Sequence, residues 1–205
     1  MSYKNSILII IAILLIDQIS KIYVKTHFQL YEDVAVFSWF EIVFVENKGM
    51  AWGTTLSDFH ASISDEIAKL ILTLFRIVAV SVIGYWLYTT IKKQKPKTLI
   101  LAISLIFAGA LGNILDSVFY GVLFSDSYNQ VAMFLPEAGG YAGVFYGNVV
   151  DMLHFPIYKG FLPDWLPIIG GKQFSFFDPV FNIADVAIST GIGVLIVFNK
   201  KAFKN

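Results

Sequence analysis

The chain has 205 residues, of which 57% are hydrophobic and 15% are charged, and its formal net charge is zero. Soluble domains carry about a quarter charged residues, so this composition excludes an ordinary water-facing globule and predicts a membrane protein. The even charge balance and the lack of a basic tract argue against nucleic acid as a partner. The chain has no cysteine, which excludes disulfides, thiol nucleophiles and cysteine-based metal sites.

Four apolar stretches are each close to the roughly 20 residues that a helix needs to cross an apolar core of about 30 Å. They lie at about 6–24, 67–91, 98–119 and 179–198. The first begins like a secretory signal, but no small-residue cleavage site follows it, so we predict a retained helix. The predicted fold class is a membrane all-α protein with four transmembrane helices in a single domain.

Lysine placement predicts how the four spans are oriented. One side of the four-span arrangement would carry the lysines at positions 4, 92, 93, 95, 97, 200, 201 and 204. The opposite side has few lysines, in far longer segments. The positive-inside rule therefore predicts that both termini and the short 92–97 link lie in the cytoplasm.

Two long segments, about 25–66 and 120–178, would then face outward. Residues 34–45 are rich in Val, Ile, Phe and Trp, which is typical of one or two short strands. Asn47-Lys48-Gly49 would form a turn after them. The segment 125–175 is punctuated by glycine pairs and prolines, so it is predicted to be an irregular outer lobe.

Polar side chains inside the apolar spans are the first candidates for a functional site, because burying them in lipid is costly. Asp17 and Lys21 share one face of the first span, and Asn113 and Asp116 share one face of the third. At about 1.5 Å per residue, all of these except Asp17 fall, with Asp185, in the outer third of the bilayer. Polar residues from three helices are therefore predicted to meet at one level.

Both polar pairs also have structural interpretations. We interpret Asp17 and Lys21 first as an ion pair that neutralises both charges in lipid, and second as direct participants in binding or catalysis. Asn113 and Asp116 follow Gly109 and Gly112, which permit close helix packing. They are interpreted equally as polar cross-links between helices or as groups that orient a substrate backbone.

Asp151 and Asp185 are the predicted catalytic pair. Asp185 follows Asn182 at the start of the last span, and Asp151 lies just outside the third span. A lone Asp151 would ordinarily be a solvated loop carboxylate, but Asp185 within lipid is harder to explain without a function. Two adjacent carboxylates cannot both ionise, so one keeps a proton while the other activates a water. Such a pair hydrolyses an amide without a metal or a covalent nucleophile.

Other chemistries find little support. The three histidines are scattered and no His-Glu-x-x-His is present, so we expect no metal. Ser20 and Lys21 are adjacent on a helix, where their side chains diverge, and no glycine-rich phosphate loop occurs. We therefore expect no cofactor. Arg76, in the middle of the second span, is interpreted as a partner for a carboxylate within the membrane.

Five sequence blocks, in order along the chain, resemble a known family. They are Asp17-Gln18-Ile19-Ser20-Lys21, Asn47-Lys48-Gly49-Met50-Ala51-Trp52, Gly112-Asn113-Ile114-Leu115-Asp116, Val149-Val150-Asp151 and Phe181-Asn182-Ile183-Ala184-Asp185. The ordered set resembles the lipoprotein signal peptidases (signal peptidase II), aspartyl proteases of the bacterial cytoplasmic membrane. It touches most of the chain.

The resemblance implies an activity, a substrate and a site. The enzyme would remove the signal peptide from a diacylglyceryl-modified prolipoprotein, cutting before the lipidated cysteine at the outer face of the membrane. Asp151 and Asp185 would form the catalytic dyad, and the supporting residues would be Asn47, Gly49, Asn113, Asp116, Asn182, Asp17 and Lys21. A small extracytoplasmic β-cradle would follow the first helix. The expected partners are lipid-modified prolipoproteins and membrane lipids, and we expect a monomer.

The chain departs from this family in one charged residue. The family usually has an arginine directly after the residue that corresponds to Asp116, and here that position is Ser117. A hydroxyl cannot replace the fixed, permanently charged donors of a guanidinium. Our hypothesis is that Arg76 or Lys48 takes over part of this role.

The chain also departs in the spacing between Asp116 and Asp151, where the family's blocks nearly adjoin. The extra stretch, residues 123–148, is apolar and rich in glycine. We call it the insertion. We predict that it forms an added outer loop or a lid over the site, with a functionally neutral insertion as the alternative.

Two rival functions also suit buried polar residues in a membrane protein. A small transporter is one, although such proteins usually show matching halves or broken helices. A non-enzymatic scaffold is the other, but clustered carboxylates at one depth have no use there.

Overall fold

The computed structural model describes residues 1–48, 64–156, 158–167, 169–176 and 178–204. Its helices are α1 (Tyr3–His27), α2 (Asp65–Lys92), α3 (Lys97–Leu115), α4 (Gly121–Leu123), α5 (Ile183–Val197) and α6 (Asn199–Ala202). A π-helical turn, Asp116–Tyr120, joins α3 to α4. The strands are β1 (Asp33–Phe37), β2 (Phe40–Asn47), β3 (Val149–His154), β4 (Tyr158–Phe161), β5 (Gln173–Phe176) and β6 (Val180–Phe181).

Three helical runs within these described ranges are long and apolar enough to cross a membrane. They are α1, α2 and the continuous run Lys97–Leu123, which confirms the first three predicted helices. Half of the most apolar part of Lys97–Leu123 is buried inside the protein, against 17% for α1 and α2, so α3 is the central helix. The apolar helix α5 has 15 residues, which span only about 22 Å. The fourth membrane span therefore stays a prediction.

The predicted start of the last helix, at residue 179, is wrong. Val180 and Phe181 instead form β6, which pairs with β3, and the helix begins at Ile183. Asn182 caps it, because its side chain accepts a hydrogen bond from the backbone N–H of Asp185 at 3.0 Å. The Asp185 carboxylate accepts the backbone N–H of Asn182 in return, at 3.2 Å. This reciprocal capping box sets where the helix starts.

Glycines bring α3 against its neighbours, as predicted for Gly109. A Cβ atom at Gly109 would collide with the carbonyl oxygen of Ala184 on α5. A Cβ atom at Gly112 would lie 2.7 Å from Oδ2 of Asp17 on α1. Larger residues would push these helices apart, and the polar side chains of the three helices would no longer meet.

Beside the long helices, the described residues form a small antiparallel sheet in the strand order β1-β2-β3-β6. β1 and β2 confirm the strands predicted at 34–45. The prediction of a wholly irregular lobe over 125–175 is wrong, because β3 pairs with β2 and β4 pairs with β5. Asp151 therefore lies on a strand rather than in a loop.

The pairing of β2 with β3 gives the sheet two distinct faces. Val45 lies opposite Asp151, and Glu46 lies opposite Val150. Because side chains alternate along a strand, the front face carries Asp151, whereas the back face carries Glu46. On the back face, Phe44, Val150 and Met152 pack into one buried cluster with Val24, Tyr120, Phe124 and Ala132.

The insertion supplies part of that cluster, through Phe124 and Ala132. The insertion therefore packs on the back face of the sheet, away from the face that carries Asp151, and its outward orientation stays a prediction. The alternative prediction of a lid over the site is wrong. Covering the apolar back face is the physical reason for its placement, since those side chains would otherwise face water.

Candidate active site

Asn182 contacts both of the predicted catalytic carboxylates. Its Nδ2 donates to Oδ1 of Asp151 at 2.7 Å, and its backbone N–H donates to Oδ2 of Asp185 at 3.2 Å. The capping box of α5 therefore connects two of the sequence motifs, Asn-x-x-Asp and Val-Val-Asp. Asp151 on β3 and Asp185 on α5 therefore both accept hydrogen bonds from the same residue, Asn182.

Asn113 on α3 forms a second bridge. Its Nδ2 donates to Oδ1 of Asp185 at 2.9 Å, and its Oδ1 accepts from Nδ2 of Asn182 at 3.1 Å. Nζ of Lys21 also donates to this oxygen, at 2.9 Å. Because two donors hold the Asn113 oxygen, its amide nitrogen faces Asp185. A continuous chain of hydrogen bonds therefore joins the carboxylates of Asp151 and Asp185.

A buried layer of charged side chains lies next to Asn113 and Asn182. Nζ of Lys21 lies 2.9 Å from Oδ2 of Asp17 and 2.8 Å from Oδ2 of Asp116, and all three side chains are fully buried. The predicted ion pair between Asp17 and Lys21 is present, with Asp116 as a second carboxylate. Asp17 Oδ1 also accepts the backbone N–H of Ala184 at 2.9 Å, and Asp116 Oδ2 accepts that of Val150 at 3.3 Å. The layer thus connects α1, α3, α5 and β3.

Gln18 and Tyr120 belong to this layer, although sequence reasoning assigned them no role. Nε2 of Gln18 donates to Oδ1 of Asp116 at 2.9 Å and to Oδ2 of Asp17 at 3.1 Å. The Tyr120 hydroxyl donates to Oε1 of Gln18 at 3.1 Å. The sequence feature that could have indicated a role for Gln18 was its side-chain amide, directly beside Asp17 in an apolar run. The π-helical turn, a feature frequent at functional sites, carries both Asp116 and Tyr120.

Asp151 occupies a low-dielectric position on the front face of the sheet, with 5% of its surface exposed. Burial, and secondarily the charge of Asp185, raise the pKa of Asp151 to about 7, while the hydrogen bond from Asn182 opposes the rise. Nδ2 of Asn47 lies 3.5 Å from its Oδ2. Asp151 also lines a cavity of about 500 Å³ between the end of β2 and residues 178–180. The carboxyl group therefore holds a proton near neutral pH and faces a space large enough for a peptide segment.

Comparison with known proteins identifies the family. The model of the family described as signal peptidase (SPase) II matches residues 9–200, which is most of the chain. This chain belongs to the signal peptidase II family. Membership makes it a membrane protease and removes the transporter and scaffold alternatives.

Two relatives named lipoprotein signal peptidase support this membership. The protein from Porphyromonas gingivalis strain ATCC 33277 is 46% identical over 190 residues, covering 92% of this chain and 80% of the relative. The protein from Amoebophilus asiaticus strain 5a2 is 35% identical over 191 residues, covering 91% of this chain and 73% of the relative.

Two solved structures share the fold of this signal peptidase II. Both are described as bacterial membrane enzyme structures obtained by the in meso method, and both are 24% identical to this chain. One has a TM-score of 0.62 and covers 97% of this chain and 94% of that chain. The other has a TM-score of 0.59 and covers 99% and 93%.

Arg76 lies where the hypothesis about Ser117 requires a cation. Its Nη1 donates to Oγ of Ser117 at 3.3 Å, and that Oγ donates to the backbone oxygen of Asn113 at 3.0 Å. The guanidinium charge also acts on the carboxylates of Asp185 and Asp151. A guanidinium from α2 therefore contacts Ser117, the residue that stands where the resemblance led us to expect an arginine.

The block from Asn47 to Trp52 is described only in part. Gly49, a predicted site residue, lies outside the described residues, whereas Asn47 ends β2 beside Asp151. The exposed residue Lys48, the second candidate to replace the family arginine, lines the cavity. Its backbone oxygen accepts from Nζ of Lys69 on α2 at 2.7 Å. The contact with Ser117 favours Arg76 over Lys48 as the replacement.

Proposed function

We propose that this signal peptidase II is an aspartyl endopeptidase that removes the signal peptide from diacylglyceryl-modified prolipoproteins. It cuts before the lipidated cysteine, at the outer face of the bacterial cytoplasmic membrane, with both termini in the cytoplasm. The observation that carries the proposal is the bond pair from Asn182, which donates to Asp151 and to Asp185. The family and the names of its relatives support the substrate class.

Asp151 and Asp185 divide the chemistry between them. Because burial raises the pKa of Asp151 to about 7, we assign Asp151 as the general acid and Asp185 as the general base. Asp185 takes a proton from a water whose oxygen attacks the scissile carbonyl carbon, and Asp151 gives its proton to the carbonyl oxygen. The C–N bond then breaks as Asp185 returns its proton to the leaving amine and Asp151 takes one back from the new hydroxyl group.

The surrounding residues support this division. Asn182 and Asn113 donate to the two carboxylates and hold them in place. Arg76 supplies positive charge that offsets the negative charge of the dyad. Asn47 approaches the oxygen of Asp151 that Asn182 leaves open, so it is positioned to contact a substrate in the adjoining cavity.

A cleavage assay with the purified protein in detergent tests the proposal. The parent should cut a diacylglyceryl-modified prolipoprotein and leave the unmodified precursor intact. Asp151→Asn and Asp185→Asn should each lower the cleavage rate by at least about 1,000-fold, while thermal unfolding shows that both remain folded. Asp33→Asn, which changes an exposed carboxylate on β1, is the matched control and should cut at the parent rate. Cleavage at the parent rate by either dyad variant would disprove the proposal.

A further inference from the structure

A second buried ionic group lies on the back face of the sheet. The side chains of Lys25 on α1 and Glu46 on β2 form an ion pair, with 0% and 9% of their surfaces exposed. Ser127 of the insertion accepts from Nζ of Lys25 at 2.9 Å and donates to Oε1 of Glu46 at 2.8 Å. Asn148, the last residue of the insertion, donates through Nδ2 to Oε2 of Glu46 at 2.8 Å.

Aromatic rings enclose the same lysine. Nζ of Lys25 lies 4.9 Å from the ring centroid of Tyr141, 5.4 Å from that of Phe124 and 5.8 Å from that of Phe44. The Tyr141 hydroxyl also accepts the backbone N–H of Asn148 at 2.6 Å. Such contacts stabilise a buried cation through the negative faces of the rings. We call Lys25, Glu46, Ser127, Tyr141 and Asn148 the Glu46 cluster.

Glu46 stays ionised in this cluster. Burial alone would raise its pKa, but the Lys25 ammonium group and the hydrogen bonds from Asn148 and Ser127 hold the pKa of Glu46 below its usual value. Each polar atom of the ion pair therefore has a charged or hydrogen-bonded partner. A pair satisfied in this way fixes geometry rather than exchanging protons.

The Glu46 cluster holds together the end of β2 and the start of β3, close to Asp151. Glu46 precedes Asn47, Asn148 precedes Val149, and Asn47 pairs with Val149 at the end of the β2–β3 ladder. Asp151 follows two residues later on β3. Any shift of this end would move Asp151.

Asp185, by contrast, is fixed to the helices. It lies in the first turn of α5 and accepts from Asn113 on α3. The relative placement of the two carboxylates therefore depends on how the sheet is held against the helical bundle. Lys25 provides one such connection from α1, and Lys69 provides another from α2, since its Nζ lies 3.4 Å from Oδ1 of Asn148.

We propose that the Glu46 cluster positions Asp151 against Asp185, so that the insertion supports the chemistry although none of its residues lines the cavity beside Asp151. Glu46, Asn148, Ser127 and Tyr141 are positioning residues in this account. The inference rests on the proposed function, because it assumes that the dyad does the chemistry. It gives the insertion a functional role, in contrast to the functionally neutral insertion that the sequence left as the alternative.

Asn148→Ala is the first test, since it removes the bonds to Glu46 and Lys69 together. We expect kcat for cleavage of the diacylglyceryl-modified prolipoprotein to fall by about 10- to 100-fold, as for a small misplacement of a reacting group. KM should change by less than about twofold, because the substrate contacts remain. The alkaline midpoint of the kcat–pH profile should also shift, because the interaction of Asp151 with Asp185 depends on their separation. Glu137→Ala, an exposed site on the insertion, is the control.

Tyr141→Phe is the second variant and removes only the hydroxyl group that holds the Asn148 backbone. It keeps the ring over Lys25, so it tests positioning even if Asn148→Ala fails to fold. Lys25→Met with Glu46→Gln should lower kcat less than Lys25→Met by itself, because the double variant leaves no buried unpaired charge and a glutamine oxygen still accepts from Ser127 or Asn148.

The outcomes separate the two proposals. Parent values of kcat and pH midpoint in folded Asn148→Ala and Tyr141→Phe would overturn the positioning role, even if both variants melt at a lower temperature. In that case the dyad still stands, provided that Asp151→Asn and Asp185→Asn are inactive. Full activity of those dyad variants would instead overturn the proposed function and, with it, the role of the Glu46 cluster.

Discussion

Glu46 and Asp151 are buried acids on opposite faces of one strand pair, and their surroundings give them opposite chemistry. Glu46 faces the ammonium group of Lys25, which lowers its pKa, and it stays ionised. Asp151 faces another carboxylate and amide donors, and burial raises its pKa to about 7. The comparison teaches that burial by itself does not make an acid reactive. The charge of the nearest partner decides whether a buried acid is structural or able to exchange protons.

Removing the cation from the structural acid should have the largest effect. Lys25→Met would leave Glu46 buried without a counter-charge, which typically lowers the free energy of unfolding by about 3–5 kcal/mol. Denaturant unfolding in detergent measures the loss. Lys4→Met, an exposed lysine of the same helix, should have little effect. Equal stability of Lys25→Met and the parent would mean that the ion pair does not hold the sheet.

Removing the carboxyl group of Asp151, the reactive acid, should raise the free energy of unfolding by an amount that depends on pH. The folded parent keeps a proton on Asp151 up to about pH 7, whereas the unfolded chain releases it near the usual value of 3.8, so the parent loses stability as the pH rises through this window. Asp151→Asn has no carboxyl group to titrate, so at pH 8 its free energy of unfolding should exceed that of the parent by about 1–3 kcal/mol. The gain should fade towards pH 4. A gain of the same size at pH 5 and pH 8 would show that Asp151 does not titrate in this range.

Removing the charge of Arg76 should affect activity more than stability. Arg76→Gln withdraws positive charge from Asp185 and Asp151, so kcat should fall about tenfold, or about 1.4 kcal/mol in the activation free energy. The pKa of Asp151 should rise further, which moves the alkaline limb of the kcat–pH profile to higher pH. Arg76→Lys keeps the charge and should restore part of the rate. Normal lipoprotein maturation by Arg76→Gln would refute the replacement of the family arginine by Arg76.

The smallest effect should come from a neutral partner of the structural acid. Ser127→Ala removes one hydroxyl group from Glu46, which keeps Lys25 and Asn148. We expect a loss of about 1 kcal/mol in the free energy of unfolding. A loss as large as that of Lys25→Met would show that hydrogen bonding, and not charge, dominates the Glu46 cluster.

Much of the candidate site could be predicted because its residues stand out locally. Asp17, Lys21, Asn113 and Asp185 are polar or charged in apolar runs, where each needs a partner, and helical spacing gives the shared faces. The structure brings these residues together with Asn182. The first three apolar helices followed from length and composition in the same way.

The rest depends on contacts between distant segments, which local patterns do not reveal. Lys25 and Glu46 lie near the ends of their elements, where water could have solvated either charge, so nothing in the sequence marked them as a buried pair. The insertion could have covered either face of the sheet, and only the apolar residues of the back face decide between them. Asp151 was expected in an irregular lobe because glycine pairs and prolines punctuate residues 125–175, and its pairing with β2 depends on a segment about 100 residues away.

The π-helical turn restricts how this chain can change in length. An α-helix turns by about 100° per residue, and the turn at Asp116–Tyr120 accommodates a wider loop of backbone than a regular helix does. Because a π-turn holds about one residue more than an α-turn, deleting one residue there would give an uninterrupted α-helix with the backbone beyond it in nearly the same rotation, whereas inserting a residue would rotate that backbone by roughly 100° and carry Tyr120 away from Gln18. Insertion of a single residue should therefore be tolerated better next to the exposed Glu137 of the insertion than between Asp116 and Tyr120.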